Sequence, residues 1–312
     1  MILKSVQKII NIIYRFPKAR LKLYRRFGGY FNYRILNTGN KQMTKALNRL
    51  PPSTSYPDGL AVYFLTGERF LHQTIFCIRS LAKVSSQKYC FILVDDGTFT
   101  EKQHALVSEK VPGAIVVSAR EIEMNLDKHL PVSNYPYLRQ KRQVYPHLKK
   151  LTDVHTISRS GYSGYKLILD SDMLFWKEPG ALINWLENPT QPIYMLDCQL
   201  SYGYSQSLME KLTGCKIQQL INVGAIGFDS KDIKWGDLER WACAMEAEEG
   251  TSYYLEQALT AMSIGELESK VLNRDEYIVN PQNLDKIGSV DVLHHYVDLS
   301  KKIYLEKAWK LI

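Results

Sequence analysis

The apolar run Leu167, Ile168, Leu169 stops on Asp170, Ser171 and Asp172, and an earlier run, residues 89–94, stops on Asp95, Asp96 and Gly97. Short unbroken apolar runs closed by turn-forming residues have the pattern of strands buried on both faces, and the segments between them carry helical spacing. Residues 61–66, 89–94, 114–117 and 165–169 predict strands, and 70–81, 101–109, 138–151 and 254–262 predict helices. Strands alternating with helices imply an α/β domain with a mainly parallel sheet, helices on both faces, and functional loops outside the carboxyl ends of the strands. Both acidic clusters fall at those ends.

The chain is long enough for a large core, with 312 residues of which 45% are hydrophobic. No uncharged apolar stretch approaches the ~18 residues that suggest a membrane span. Five cysteines (Cys77, Cys90, Cys198, Cys215, Cys243) are odd in number and contain no Cys-x-x-Cys, which fits neither a disulfide framework nor a zinc site and agrees with a reducing compartment.

Charge is distributed unevenly. Residues 1–50 hold twelve Lys or Arg and no acid, Asp58 being the first, so the other 262 residues hold 28 bases (40 − 12) against 32 acids. Val6, Ile9, Ile10, Ile13 and Phe16 fall on one face of a predicted helix over residues 2–16, with Lys4, Lys8 and Arg15 largely off it and Pro17 as its stop. Bases continue through Lys18, Arg20, Lys22, Arg25 and Arg26, unlike a secretory signal. Such a leader can lie on an anionic membrane, where each base contributes about 1 kcal/mol, or pack on the protein's own body. Tyr24, Phe27, Tyr30, Phe31 and Tyr33 stand among the bases, but no nucleic-acid module accompanies them and no nucleic-acid partner is expected. Residues 51–55 read as a linker, giving a basic amphipathic leader at 1–55 and a catalytic domain at 56–312 that becomes ordered near Asp58. The expected location is cytoplasmic, peripheral on the cytoplasmic face of the membrane.

Asp170 and Asp172, one residue apart at a strand end, can converge on one divalent cation. Hard oxygen donors of this kind suit Mn2+ or Mg2+, with substrate phosphates filling other positions.

With these residues the chain resembles the GT-A class of nucleotide-sugar glycosyltransferases, Rossmann-like in sheet and helix arrangement, over roughly residues 60–310. The turn at Thr66 and Gly67 resembles that fold's first nucleotide-contacting turn, and Asp95 and Asp96 its second-strand acidic turn. The run 222–228, with Asn222 and Gly224, resembles the Asn-x-Gly strand lining the sugar pocket, and Glu256 and Gln257 resemble the acidic-Gln pair beside the transferred sugar. His295, Tyr296 and Lys301 are similar to the closing motif of glycosyltransferase family eight and bacterial relatives; the likeness implies that His295 is a metal ligand and Lys301 a diphosphate contact, with His294 as the alternative ligand. Asp298 stands where that motif usually has Gly, and its Lys-Pro-Trp is missing. Arg139 and Arg142 lie on a segment that passes the donor phosphates in similar enzymes, and Ser171 sits inside the D-x-D.

Glycosyl transfer breaks the bond from an anomeric carbon to a diphosphate through an oxocarbenium-like state while negative charge grows on the leaving phosphate. Asp170, Asp172 and His295 with a metal, together with Lys301, would answer that charge. Asp197 and Glu256 are the acidic candidates and Gln257 the candidate amide near the reacting face. The family likeness leans toward a retaining hexosyltransferase-like enzyme acting from a UDP-sugar onto a glycan or glycolipid hydroxyl. Tyr194, Tyr202, Gly203 and Tyr204 read as a sugar-binding floor or as core. Two other functions fit less of the pattern: a haloacid dehalogenase-like phosphatase, whose D-x-D closes its first strand, and a non-catalytic membrane-associated scaffold with a transferase-like fold.

Overall fold

Helix α1 (Tyr30–Ala46) precedes strand β1 (Leu60–Thr66), helix α2 (Leu71–Val84), β2 (Tyr89–Asp95), α3 (Glu101–Lys110) and β3 (Ile115–Val117). The computed structural model describes residues 24–25, 28–158, 164–265 and 267–312. Helices α4 (Ala119–His129), α5 (Pro136–Val144) and α6 (Lys149–Thr156) follow, then β4 (Tyr165–Leu169), β5 (Met173–Phe175) and α7 (Gly180–Glu187). The second half runs through β6 (Ile193–Leu196), α8 (Gln206–Thr213), β7 (Ile221–Asp229), α9 (Trp235–Glu249), α10 (Leu255–Ile264), β8 (Lys270–Val271), β9 (Tyr277–Val279), β10 (Leu293–His295) and α11 (Lys301–Glu306).

The large sheet has the order β3-β2-β1-β4-β7-β6-β8. Its pairings are parallel except β4 with β7 and β6 with β7. This is the mainly parallel α/β architecture expected from the sequence. Alternate residues of each strand enter opposite cores, as a period of two requires: Val62, Phe64, Leu167 and Leu169 pack on the α2 side. Tyr63, Ile92, Val94 and Ile168 pack with residues of α4, α6, α9 and α10 on the other. Three strands precede β4, so the D-x-D does not close the first strand of the core, as the phosphatase reading would need.

A three-stranded sheet, β5-β10-β9, stands beside the main one. Strand β10 runs antiparallel to β5 with His295 opposite Met173, and the Tyr296 N–H donates to the Asp172 carbonyl at 2.9 Å. Register alone thus brings the closing motif to the D-x-D.

The single helix predicted over 138–151 is two. Pro146 lacks an N–H and disfavours helical backbone at the residue before it, and Tyr145 accordingly has φ −129 and ψ 87. The chain turns there and α6 starts anew at Lys149.

Residues 51–55 are not a free linker: the Ser53 and Ser55 N–H groups donate to the Lys110 and Pro112 carbonyls at 2.9 and 2.8 Å, and on their amino-terminal side α1 buries Leu36 and Met43 while Leu47 and Leu50 join the α2-side core. It lies against α11: a Cβ on Gly39 would stand 2.0 Å from the Leu305 carbonyl oxygen, so only glycine permits this approach. Asn40 Oδ1 meets His72 Nε2 at 2.8 Å, and Lys302 donates to Asn32 Oδ1 at 3.0 Å. Residues 30–50 are therefore seated on the body. The amphipathic helix expected over 2–16 lies outside the described residues, as do Lys18, Arg20, Lys22, Arg26 and Phe27.

Candidate active site

Strand β4 delivers Asp170 and β5 begins one residue after Asp172, so both acids are held between strands at the carboxyl edge of the sheet. Because β7 runs against β4, its beginning reaches the same edge, and the Asp170 N–H donates to the Gly224 carbonyl at 2.7 Å. One ligand atom from each of Asp170, Asp172 and His295 lies within 4.8 Å of the others. His295 Nε2 stands 3.5 Å from Asp170 Oδ2 and 3.5 Å from Asp172 Oδ1.

The neighbours of His295 decide which ring nitrogen faces the acids with a lone pair. Asn222 Oδ1 accepts from the Gly224 N–H at 2.9 Å, which identifies it as the carbonyl end of the amide, and it lies 3.1 Å from His295 Nδ1. Nδ1 must then carry a hydrogen, and in a neutral ring Nε2 is left as the ligand nitrogen. Gly224 makes room for this: a Cβ there would meet His295 Cε1 at 2.3 Å and the Met173 methyl at 2.7 Å. His294 is turned the other way, held by Asp291 at 2.8 Å and Tyr296 at 3.1 Å.

Two lysines sit on the acids. Lys301 Nζ is 2.7 Å from Asp172 Oδ2, and Lys150 Nζ is 2.5 Å from Asp170 Oδ1 and 3.0 Å from the Val223 carbonyl. Burial alone would push the Asp172 carboxyl up, but the Lys301 ammonium, with His295 adding when its ring is protonated, holds it well below the usual carboxylate range. Burial also works against charge on Lys150 and Lys301, yet their acid partners carry both above the ordinary lysine value.

The predicted nucleotide rim assembles beside this centre. Ser171 Oγ pairs with Thr74 Oγ1 at 2.8 Å, and Thr74 with Thr66 Oγ1 at 2.8 Å. The Gly67 carbonyl accepts the N–H groups of Phe70 and Leu71 at the entry to α2. Asp95 Oδ1 takes three backbone N–H groups, from Gly97, Thr98 and Phe99, so that oxygen shapes the turn. Asp96 accepts from Thr98, and Lys149 reaches its backbone oxygen at 2.5 Å.

On the β7 side, Gln257 Nε2 donates to Asp197 Oδ2 at 3.0 Å and to the Ile221 carbonyl at 2.9 Å. Both amide hydrogens are used, which leaves its carbonyl oxygen as the remaining polar end. Glu256 is buried near Lys150; burial first, with Asp170 adding, pushes its carboxyl up to about 7 against the pull of Lys150.

Two groups predicted from the sequence are not brought to the centre. Arg139 pairs with Glu123 and Asp127, and Arg142 binds Asp153 through Nε at 2.5 Å and Nη2 at 2.8 Å while also pairing with Glu123. Both guanidinium groups tie helices together. Tyr194, Tyr202 and Tyr204 are core residues, at most 7% exposed, so they offer no open floor. Helical spacing alone makes Lys149 and Lys150 the tail of a continuous helix; Pro146, visible in the sequence, marks the break that re-aims them.

No family model matches the sequence, and no curated protein matches it. Among solved structures the chain is similar to the galactosyltransferase LgtC in complex with donor and acceptor sugar analogues, at 12% identity and TM-score 0.49, over 76% of this chain and 86% of that one. It is similar to mouse xyloside xylosyltransferase 1, at 13% and 0.49, over 78% of this chain and 98% of that one. A third likeness is to the bifunctional glycosyltransferase WbbM, at 11% and 0.49; it covers 82% of this chain but 51% of the other, so this chain spans about half that enzyme. Likenesses this distant leave the reaction to be argued from the side chains.

Proposed function

We propose that this chain is a glycosyltransferase moving a sugar from a nucleotide-diphosphate sugar, a UDP-sugar in the first instance, to the hydroxyl of a glycan or lipid-linked glycan. One arrangement carries the reading: two carboxylates and an imidazole converge within 4.8 Å, with a lysine on each carboxylate. Carboxylate oxygens with an imidazole nitrogen are a donor set suited to Mn2+ or Mg2+, and the Asn222 bond already aims the His295 lone pair inward. Asp170, Asp172 and His295 would hold the ion. Bound there, it would supply a Lewis acid for the negative charge that grows on a departing diphosphate.

The lysines have a matching role. Once the acids turn to a cation, Lys150 and Lys301 are freed to meet phosphate oxygens from two sides, whose negative charge would take the place of the acids beside them. Gln257 presents a carbonyl oxygen whose amide is locked by Asp197 and Ile221, a group able to face positive charge at an anomeric carbon without taking a proton. Glu256, with its carboxyl at about 7, is poised at neutrality to take or give a proton and is the general-base candidate. The amide oxygen of Gln257, with the family likeness, is what favours retention. The twelve bases before the first acid favour a membrane-proximal acceptor, with the enzyme peripheral at the cytoplasmic face.

The test is nucleotide release by the purified full chain from a panel of nucleotide sugars with manganese. One donor should be hydrolysed, a chelator should stop the reaction, and Asp172→Asn should slow it by about 10²-fold or more while still melting cooperatively. If no nucleotide sugar is hydrolysed and none raises the melting temperature, the reading fails.

A further inference from the structure

A cavity of about 250 Å3 opens between the end of β6 and strand β9, outside the donor groups described above. Leu196, Ile278 and Val279 form its apolar wall, and Arg274 and Lys286 bring two cations against the single carboxylate of Asp275. Arg274 gives one N–H to the Asp197 carbonyl, 3.4 Å away, and among the described residues neither cation is held in an ion pair. Four of the five guanidinium donors remain for a ligand.

Its place links it to the reaction centre. Val279 is paired in register with His295, and the Asn280 N–H donates to the His295 carbonyl at 2.9 Å. On the β6 side, Leu196 and Cys198 flank Asp197, whose carboxylate holds Gln257. The cavity thus lies at the same edge of the sheet as the acids, on the Gln257 side. It is smaller than the ~300–1,000 Å3 of drug-sized sites, which suits one sugar unit. An apolar wall with two unpaired cations matches a sugar ring that carries a negative group.

We infer that this cavity receives an anionic substituent, carboxylate or phosphate, on the acceptor glycan, with Arg274 and Lys286 as its partners. The inference rests on the glycosyl-transfer reading but concerns residues outside the donor site. Three probes are titrated calorimetrically into the full chain held with UDP and manganese: methyl glucuronide, glucose 6-phosphate and neutral methyl glucoside. One anionic probe should bind about tenfold or more tightly than the neutral one, and Arg274→Ala and Lys286→Ala should each remove most of that preference. Tighter binding of the glucuronide identifies a carboxylate, and of the sugar phosphate a phosphate. Equal binding of charged and neutral probes, no binding of any, or a preference that survives both substitutions would overturn the inference. Donor hydrolysis, measured alongside, should be unchanged in Lys286→Ala; its absence from the parent chain would instead count against the glycosyl-transfer reading.

Discussion

The ring of His295 occupies the space a side chain on Gly224 would need, with Cε1 2.3 Å from the site of a Cβ. The strand residue and the ligand are therefore specified together, 71 positions apart (295 − 224). Gly224→Ala should displace the ring from Asn222 and from both acids. We expect manganese affinity to fall by about 10–100-fold and stability by about 1–3 kcal/mol. Calorimetric metal titration with urea unfolding checks both, and unchanged metal binding would remove His295 from the ligand set.

Glu256 predicts a pH dependence. Its carboxyl lies at about 7 in the fold against 4.5 as the ordinary value, so the native state keeps a proton that the unfolded chain releases. The contribution of Glu256 to stability is then highest below 4.5, falls as pH rises toward 7 and levels off above it, a loss of about 3 kcal/mol in all. Glu256→Gln should flatten that slope. Urea midpoints measured from pH 5 to 8 decide the matter, and parallel profiles for the two proteins would refute the assignment.

Arg142 and Arg139 should separate by stability. Arg142→Met leaves Asp153, fully buried, without its cation, at a cost of about 3–5 kcal/mol. Arg139→Ala loses pairs to Glu123 and Asp127, which are largely exposed, and should cost about 1 kcal/mol or less. Neither should change KM for the donor. A large donor KM increase in a still-folded variant would return these arginines to the phosphate path.

Removal of residues 1–23 tests the leader while keeping Tyr24, whose ring packs on Tyr30 and Tyr33, and α1, whose Leu36 and Met43 belong to the folded body. Binding to vesicles rich in anionic lipid should disappear and donor hydrolysis should remain, as read by vesicle sedimentation and nucleotide release. Undiminished vesicle binding would place the contact elsewhere.

Legibility in the sequence followed the range over which each feature is determined. The strand ending at Leu169 and the acids after it are local, and periodicity with composition was enough to find them. The approach of Asn222, Gly224 and His295 depends on register between distant strands, so it came from motif likeness and not from spacing. Arg142 misled because a charge does not announce its partner: Asp153 is eleven residues on, across the break at Pro146, and only the angle between α5 and α6 brings them together. Asp298, at a position where the resembled motif usually has Gly, holds the left-handed backbone that glycine would adopt, with φ 43.

Helix α11 begins at Lys301, on the acid side, and at Leu305 it is pressed against Gly39 of α1. Position 39 therefore bears on the pair of Lys301 with Asp172 although it touches neither residue. Even one methyl group would act as a wedge between the two helices, levering the leading lysine of α11 away from the carboxylate it neutralises.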